Sequence, residues 1–201
     1  MKFITVEEHI TSSETLIDIE KERLPYMDNT GITMQVLSCM NTIDNDMPND
    51  KKTELCIKGN NFLKEKINQY PDRFSAFADI PLWDVDAAVK ELERCVKKLG
   101  FVGTLVTGKI DGHFLDEKQF IPIFEKAAEL DVPIYFHPSM PIKEIQDYYY
   151  TSHDYSWSKD VANEFGTAGF GWHLDVGIQV VRMILSGIFD KLPNLKLITG
   201  H

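Results

Sequence analysis

Short apolar segments rich in β-branched and aromatic residues alternate along this chain with longer segments of helical period. This alternation is typical of repeated strand–helix units around a parallel sheet. Six segments have the composition of buried strands, and they cover residues 3–9, 32–39, 74–82, 102–108, 132–137 and 195–201. We therefore expect one α/β domain over residues 1–201, with its parallel strands arranged as in a barrel.

The segments between these strands carry apolar residues at helical spacing. After the third strand, Ala88, Leu92 and Leu99 fall on one helical face. Asp84 stands where a helix N-cap is expected, and Gly100 stands where a left-handed residue ends a helix. An apolar face of this kind is buried against a sheet, so each helix is predicted to cover the strands.

Charge and composition limit the kinds of partner. The chain has 201 residues, of which 43% are apolar and 26% charged, and these proportions are ordinary for a globular domain. Its formal net charge of -10 would repel phosphate groups, which argues against a nucleic acid or an anionic membrane surface as partner. We expect a small-molecule ligand instead.

The cysteines and the apolar runs bear on location. Cys39, Cys56 and Cys95 are odd in number and widely spaced, which favours neither a disulfide framework nor a thiolate zinc site. No apolar run approaches the roughly 20 residues that span a bilayer, and the N-terminal segment does not resemble a signal peptide. We expect a cytoplasmic protein.

Glu7 and His9 lie two residues apart near the end of the first predicted strand. Side chains alternate along a strand, so these two point to the same side and Glu8 points to the other. A carboxylate and an imidazole are suitable ligands for Zn²⁺ or a similar divalent ion such as Mn²⁺. The alternative for this pair alone is two solvated charges at a strand end.

Two further strands end on histidine. His137 closes the fifth strand and precedes Pro138, and His201 closes the sixth. Active sites of parallel barrels form where the strands end, so three strand ends with this chemistry predict one divalent metal ion at the barrel mouth. A histidine hydrogen-bonded within the core is the alternative for His137 alone. The remaining histidines fall in predicted loops or at a helix start, and we assign them no chemistry.

A long segment follows the strand that ends at His137. Residues 140–172 are predicted to be irregular and are rich in tyrosine, tryptophan and phenylalanine. Long loops inside compact domains are often lids, so this one is predicted to lie over the barrel mouth. The alternative is that its aromatic side chains cover an apolar patch.

Four segments, FITVEEH, GFVGTLVTG, LDVPIYFHP and SGIFDKLPNLKLITGH, resemble in the same order the amidohydrolase-related metal-dependent decarboxylases. That group includes the γ-resorcylate and aminocarboxymuconate semialdehyde decarboxylases. The resemblance implies a TIM-type (β/α)₈ barrel with one divalent metal, Zn or Mn. It implies that Glu7, His9 and His137 hold this ion and that His201 is the catalytic histidine. With a glutamate, Glu7, as the first residue of the pair with His9, the segment resembles the aromatic acid decarboxylases more than the muconate branch.

The resemblance also indicates what is missing. The family's last metal ligand, an aspartate that donates a proton, follows the eighth strand, and this chain is expected to hold only six strands. Such a barrel would expose unpaired edges that favour association, so a homo-oligomer is expected. Without that aspartate, turnover is expected to be very low.

Three functions stay open on the sequence. The first is metal-dependent decarboxylation of a small hydroxybenzoate-like carboxylic acid, by a carboxy-lyase. The second is hydrolysis of an amide or a lactone at the same metal. The third is a non-catalytic remnant that binds ligands or associates with itself.

Overall fold

The computed structural model describes residues 2–10, 19–39, 46–154 and 156–200. Within them one parallel sheet has six strands, and an antiparallel hairpin has two. In chain order the strands are β1 (Phe3–Ile10), β2 (Ile32–Cys39), β3 (Phe74–Asp79), β4 (Gly103–Thr107), β5 (Lys109–Ile110), β6 (His113–Phe114), β7 (Ile134–His137) and β8 (Leu197–Thr199). The order in the main sheet is β1-β2-β3-β4-β7-β8, so the six predicted strands are confirmed in number, order and direction.

The helices lie between successive strands of the main sheet, as the sequence predicts. They are α1 (Leu24–Thr30), α2 (Asn49–Gln69), α3 (Val85–Arg94), α4 (Ile121–Glu129), α5 (Lys143–Ile145), α6 (Lys159–Gly166), α7 (Gly171–Leu185) and α8 (Ile188–Lys191). The Asp84 side chain accepts a hydrogen bond from the Ala87 amide and caps α3. A π-helical turn, Cys95–Leu99, continues α3 and ends at Gly100, whose φ is 76°. Both predicted helix ends are therefore confirmed.

Alternation along the strands separates two apolar cores. Phe77, Leu105 and Tyr135 point to the inside of the curved sheet, where they pack with Val36. The residues between them point outward, and they join the helices in a larger core. The sheet is thus a curled half-barrel covered by helices, an incomplete TIM barrel as the sequence predicts.

A short hairpin, β5 to β6, was not predicted. It follows β4 directly, and its turn is formed by Asp111 and Gly112, which have φ values of 50° and 79°. Two residues with positive φ are what a tight type I′ turn requires, and Asp-Gly is a favoured sequence for it. The sequence Asp111-Gly112 could therefore have predicted this turn.

A buried amide ties β3 to two helices. Asn60 of α2 is fully buried, and its Nδ2 donates to the Asp79 carbonyl at 2.8 Å and to Glu91 Oε1 at 2.7 Å. Its Oδ1 accepts from the Asp79 amide at 2.9 Å. Burial raises the pKa of Asp79 to about 6, and the nearby Glu91 charge adds to this rise. The carboxyl end of β3 is therefore fixed by a polar network.

The long aromatic segment contains more regular structure than the sequence predicts. It includes α5, the π-helical turn Gln146–Tyr150 and α6, so the expectation of an irregular loop was wrong in this respect. The rings of Tyr150 and Phe165 meet edge to face with centroids 4.9 Å apart, and Phe165 stacks on Phe170. Aromatic packing of this kind stabilises short helices that have few backbone hydrogen bonds. In the described part of the chain, no helix has the length and apolar character needed to cross a membrane.

Candidate metal centre

Glu7 and His9 lie on the inner face of β1, and Glu8 lies on the opposite face. Glu8 accepts a hydrogen bond from Arg23 at 2.9 Å, and Arg23 also donates to the His9 carbonyl at 3.0 Å. The strand carries a bulge between Thr5 and Glu8. Bulges change the direction in which side chains point, and Glu7 lies within this one. The predicted alternation of the three residues is confirmed.

His9 is held by the neighbouring strand. It is paired in the sheet with Ser38 of β2, and its Nδ1 lies 2.6 Å from Ser38 Oγ. The second ring nitrogen of His9, Nε2, points away from Ser38 and lies 3.9 Å from Glu7 Oε1. A hydrogen bond to one ring nitrogen is the usual way in which a ligating histidine is oriented.

His137 comes to the same place from β7. Its Nε2 lies 3.5 Å from Glu7 Oε1, and its ring centroid is 4.9 Å from that of His9. One ligand atom from each of Glu7, His9 and His137 lies within 4.8 Å of the other two. The structure therefore brings together the three residues that the sequence proposed as metal ligands.

The protonation pattern of His137 shows that this donor set fits a cation. Its Nδ1 lies 2.7 Å from the Pro138 carbonyl oxygen, which can only accept, so Nδ1 carries the proton. In the neutral imidazole Nε2 then presents a lone pair toward the Glu7 carboxylate. Lone pairs of two imidazoles and a carboxylate that converge in this way match the ligands of a divalent transition metal. Glu7, His9 and His137 would hold the ion.

Tyr135 is a member of this site that the sequence reasoning missed. Its hydroxyl donates a hydrogen bond to Glu7 Oε2, and its side chain is only 2% exposed. Burial raises the pKa of the Tyr135 phenol, and the Glu7 hydrogen bond raises it further, so the hydroxyl stays a proton donor. The available signal was its position two residues before His137, which places both on one face of β7.

A cavity lies beside Ser38, the residue that contacts His9. It has a volume of about 140 Å³ and lies where β2, β3 and β4 end. Ser38, which contacts His9, lines it together with apolar side chains that include Leu82, Val106 and Ile110. The cavity is therefore mainly apolar, and its polar lining residues include Ser38, Asp79 and Thr107.

The other residues considered in the sequence have different surroundings. His201 lies outside the described residues, but the Gly200 amide before it donates to the Phe136 carbonyl at 3.0 Å. Cys39 is buried in the outer core, as expected for a small apolar filler. His113 is exposed and lies 2.8 Å from Glu117. The Trp172 ring, at the end of the long aromatic segment, has its centroid 6.5 Å from that of His137.

A second buried polar cluster lies beside this region. Asp175 of α7 pairs with Lys109 and accepts hydrogen bonds from Ser139 Oγ at 3.1 Å and from Gln179 Nε2 at 2.7 Å. The side chains of Asp175 and Lys109 are 8% and 9% exposed. These contacts link α7 to the segments that follow β4 and β7.

Comparison with known proteins gives matches over nearly the whole chain. The profile of the family described as Amidohydrolase matches residues 6–201. The decarboxylase orsB of Emericella nidulans is 39% identical over 181 residues, which are 89% of this chain and 52% of that protein. A γ-resorcylate decarboxylase of Rhizobium radiobacter is 37% identical over 193 residues, 92% of this chain and 56% of that protein.

Solved structures agree in fold. A putative amidohydrolase from Staphylococcus aureus superposes with a TM-score of 0.91 at 39% identity, covering 100% of this chain and 67% of that one. A dihydroxybenzoic acid decarboxylase from Polaromonas sp. JS666, solved with bound manganese and the inhibitor 2-nitroresorcinol, gives 0.81 at 31% identity, covering 100% and 66%. The chain thus spans about half the length of these two curated relatives and about two thirds of these solved chains.

Proposed function

This chain belongs to the amidohydrolase family, and on that premise we propose that it is a metal-dependent decarboxylase of a small hydroxybenzoate-like acid. The observation that carries the proposal is the convergence of Glu7, His9 and His137 within 4.8 Å at the ends of β1 and β7. We propose that these three residues bind one divalent ion, Mn²⁺ or Zn²⁺. Relatives that are decarboxylases, one of them with bound manganese, support this choice.

The cavity supports an aromatic substrate. An apolar cavity of about 150 Å³ accommodates one benzene molecule, and the cavity beside His9 has about 140 Å³. Its apolar walls would hold a ring and exclude water, and its Ser38 side would turn polar substituents toward the metal ligands. In this arrangement the ring lies in the cavity and its carboxylate faces Glu7, His9 and His137.

The reaction follows from this placement. The family resemblance implies an aspartate as the acid that protonates the ring carbon bearing the carboxylate. Cleavage of the carbon–carbon bond then returns its electron pair to the ring, which releases carbon dioxide and restores aromaticity. When bound, a divalent ion supplies a Lewis acid that stabilises the charge developing on the substrate. His137 donates its Nδ1–H to the Pro138 carbonyl oxygen, and its Nε2 is therefore available as a ligand. We propose His201 as the imidazole that adds charge stabilisation beside the ring.

Metal binding is the first test. Equilibrium dialysis of the purified chain against Mn²⁺ or Zn²⁺, followed by metal analysis, is expected to give one ion per chain. His137→Ala is expected to weaken binding at least 100-fold because it removes one of three ligands. His113→Ala is the matched control, since it removes an exposed histidine that also lies beside a glutamate, Glu117. A wild-type chain that binds no ion would refute the proposal.

A substrate panel is the second test. Carbon dioxide release from 2,6-dihydroxybenzoate is compared with hydrolysis of amides and lactones, using this chain and a version extended to the length of its relatives. Decarboxylation is expected to be the preferred reaction. Turnover of a lactone without release of carbon dioxide would assign the centre to hydrolysis instead.

The remaining expectations also belong to the proposal. We propose a single domain over residues 1–201, a homo-oligomeric assembly and a cytoplasmic location. The burial of Cys39, Cys56 and Cys95 as thiols supports a reducing compartment.

A further inference from the structure

The hydroxyl of Tyr135 lies inside the half-barrel, next to the candidate metal centre. It donates a hydrogen bond to Glu7 Oε2, while the other oxygen of that carboxylate, Oε1, lies 3.5 Å from His137 Nε2 and 3.9 Å from His9 Nε2. The two carboxylate oxygens are therefore distinct. One is held by the phenol, and the other faces both imidazoles.

We propose that Tyr135 is a positioning residue of the metal centre, whose hydroxyl fixes the rotation of the Glu7 carboxylate so that Oε1 is presented to the ion. The inference rests on the proposed metal-binding function. A carboxylate on a flexible side chain loses rotational freedom when it binds a metal, and a hydrogen bond that fixes it beforehand reduces this loss. The phenol does not touch the ion in this role.

Tyr135 is itself held rigidly enough to act in this way. It is paired in the sheet with Leu105 of β4 and with Ile198 of β8. Its ring packs on Phe77 with the centroids 5.8 Å apart. A buried ring with neighbours on both sides keeps one rotamer, so its hydroxyl has a defined position.

Gly200 lies directly against this hydroxyl. A Cβ atom built on Gly200 would lie 2.5 Å from Tyr135 Oη and 3.0 Å from its Cε1. Gly200 does not have a positive φ, so its backbone conformation does not require glycine. What requires glycine here is the space that the phenol occupies. We therefore include Gly200 in the proposal, because the absence of a side chain there leaves room for the hydroxyl that fixes Glu7.

The test is the Tyr135→Phe variant, which removes one oxygen atom and keeps the ring. The dissociation constant for Mn²⁺ alone is measured from the electron paramagnetic resonance signal of the free ion. The expected result is a 10- to 100-fold weaker affinity, the usual effect of removing a group that orients a metal ligand. Tyr70→Phe is the matched control, because Tyr70 also donates to a carboxylate, Glu20 Oε1 at 2.6 Å, in an exposed position. It is expected to leave the Mn²⁺ affinity unchanged.

The melting temperature of the metal-free protein separates positioning from a structural role. If Tyr135 only stabilises the fold, Tyr135→Phe lowers the melting temperature and leaves the Mn²⁺ dissociation constant at the wild-type value. That outcome overturns the inference while the metal centre stands. A wild-type chain that does not bind Mn²⁺ overturns both.

Gly200→Ala supplies a second test in a protein that keeps the tyrosine. The new methyl group is expected to displace the hydroxyl and to weaken Mn²⁺ binding. In the Tyr135→Phe background the same change is expected to have a smaller effect, since the hydroxyl is already absent. If the affinity loss of the double variant equals the product of the two single losses, the proposed link between Gly200 and Tyr135 is contradicted.

Discussion

Asp79 provides a direct test of the buried network at the end of β3. Its backbone is bonded on both sides to Asn60, and burial raises the pKa of its carboxyl from 3.8 to about 6. A hydrogen bond with Cys56 opposes this rise, and the neighbouring charge of Glu91 contributes to it. The perturbation is Asp79→Asn, which keeps the shape of the side chain and removes its titration.

The expected magnitude follows from the two pKa values. The native carboxyl binds its proton more tightly than the unfolded one, so its contribution to stability is fully present below pH 4. That contribution is lost as the pH rises through about 6. A rise from 3.8 to about 6 corresponds to about 3 kcal/mol in total, of which about 2 kcal/mol is lost between pH 4 and pH 7. Asp79→Asn should not show this loss.

Urea unfolding at several pH values between 4 and 7.5 measures the effect. The free energy of unfolding of the Asp79→Asn variant, minus that of the wild type, is expected to increase by about 2 kcal/mol from pH 4 to pH 7. Asp72→Asn removes the same charge from an exposed position and serves as the control. Parallel stability curves for the wild type and Asp79→Asn would refute the reasoning.

Two further substitutions test the polar clusters around the site. Asp175→Ala leaves the buried ammonium of Lys109 without its carboxylate, so we expect urea unfolding to show a loss of about 3–5 kcal/mol. A loss below about 1 kcal/mol would contradict the burial of this pair. Ser38→Ala removes the group that contacts His9 Nδ1, and Mn²⁺ titration is expected to show an affinity about 10-fold weaker. An affinity within twofold of the wild type would show that Ser38 does not orient His9.

The strands were predictable because the sheet is covered on its outer face and filled on its inner face. Both faces are apolar, so each strand forms a nearly continuous apolar run bounded by polar turns. The end of β3 was placed too late, at residue 82, because Ile80 and Leu82 are as buried as strand residues. They line the cavity at the carboxyl end of the sheet rather than pairing with β4. Apolar composition reports burial, and it does not report backbone hydrogen bonding.

The candidate site was predictable in part for a similar reason. Glu7, His9 and His137 are polar residues at the ends of apolar strands, and this contrast makes them visible in the sequence. Tyr135 lacks the contrast, because a tyrosine inside an apolar strand has the composition of an ordinary core residue. Its role depends on Glu7, which is 128 positions away in the chain. Nothing local to either residue indicates the hydrogen bond between them.

The contact between β1 and β7 shows how the fold produces the site. Three strands separate β1 from β7 in the sheet, so in a flat sheet their axes would lie about 19 Å apart. Two side chains cannot bridge that distance with Glu7 Oε1 and His137 Nε2 only 3.5 Å apart. The sheet must therefore curl, and the inner apolar residues, which include Phe77 and Leu105, fill the space that the curl encloses. The donor atoms meet because the curvature brings β1 and β7 face to face. The hydrogen bond from Tyr135, two residues before His137 on β7, to Glu7 connects the same two strands.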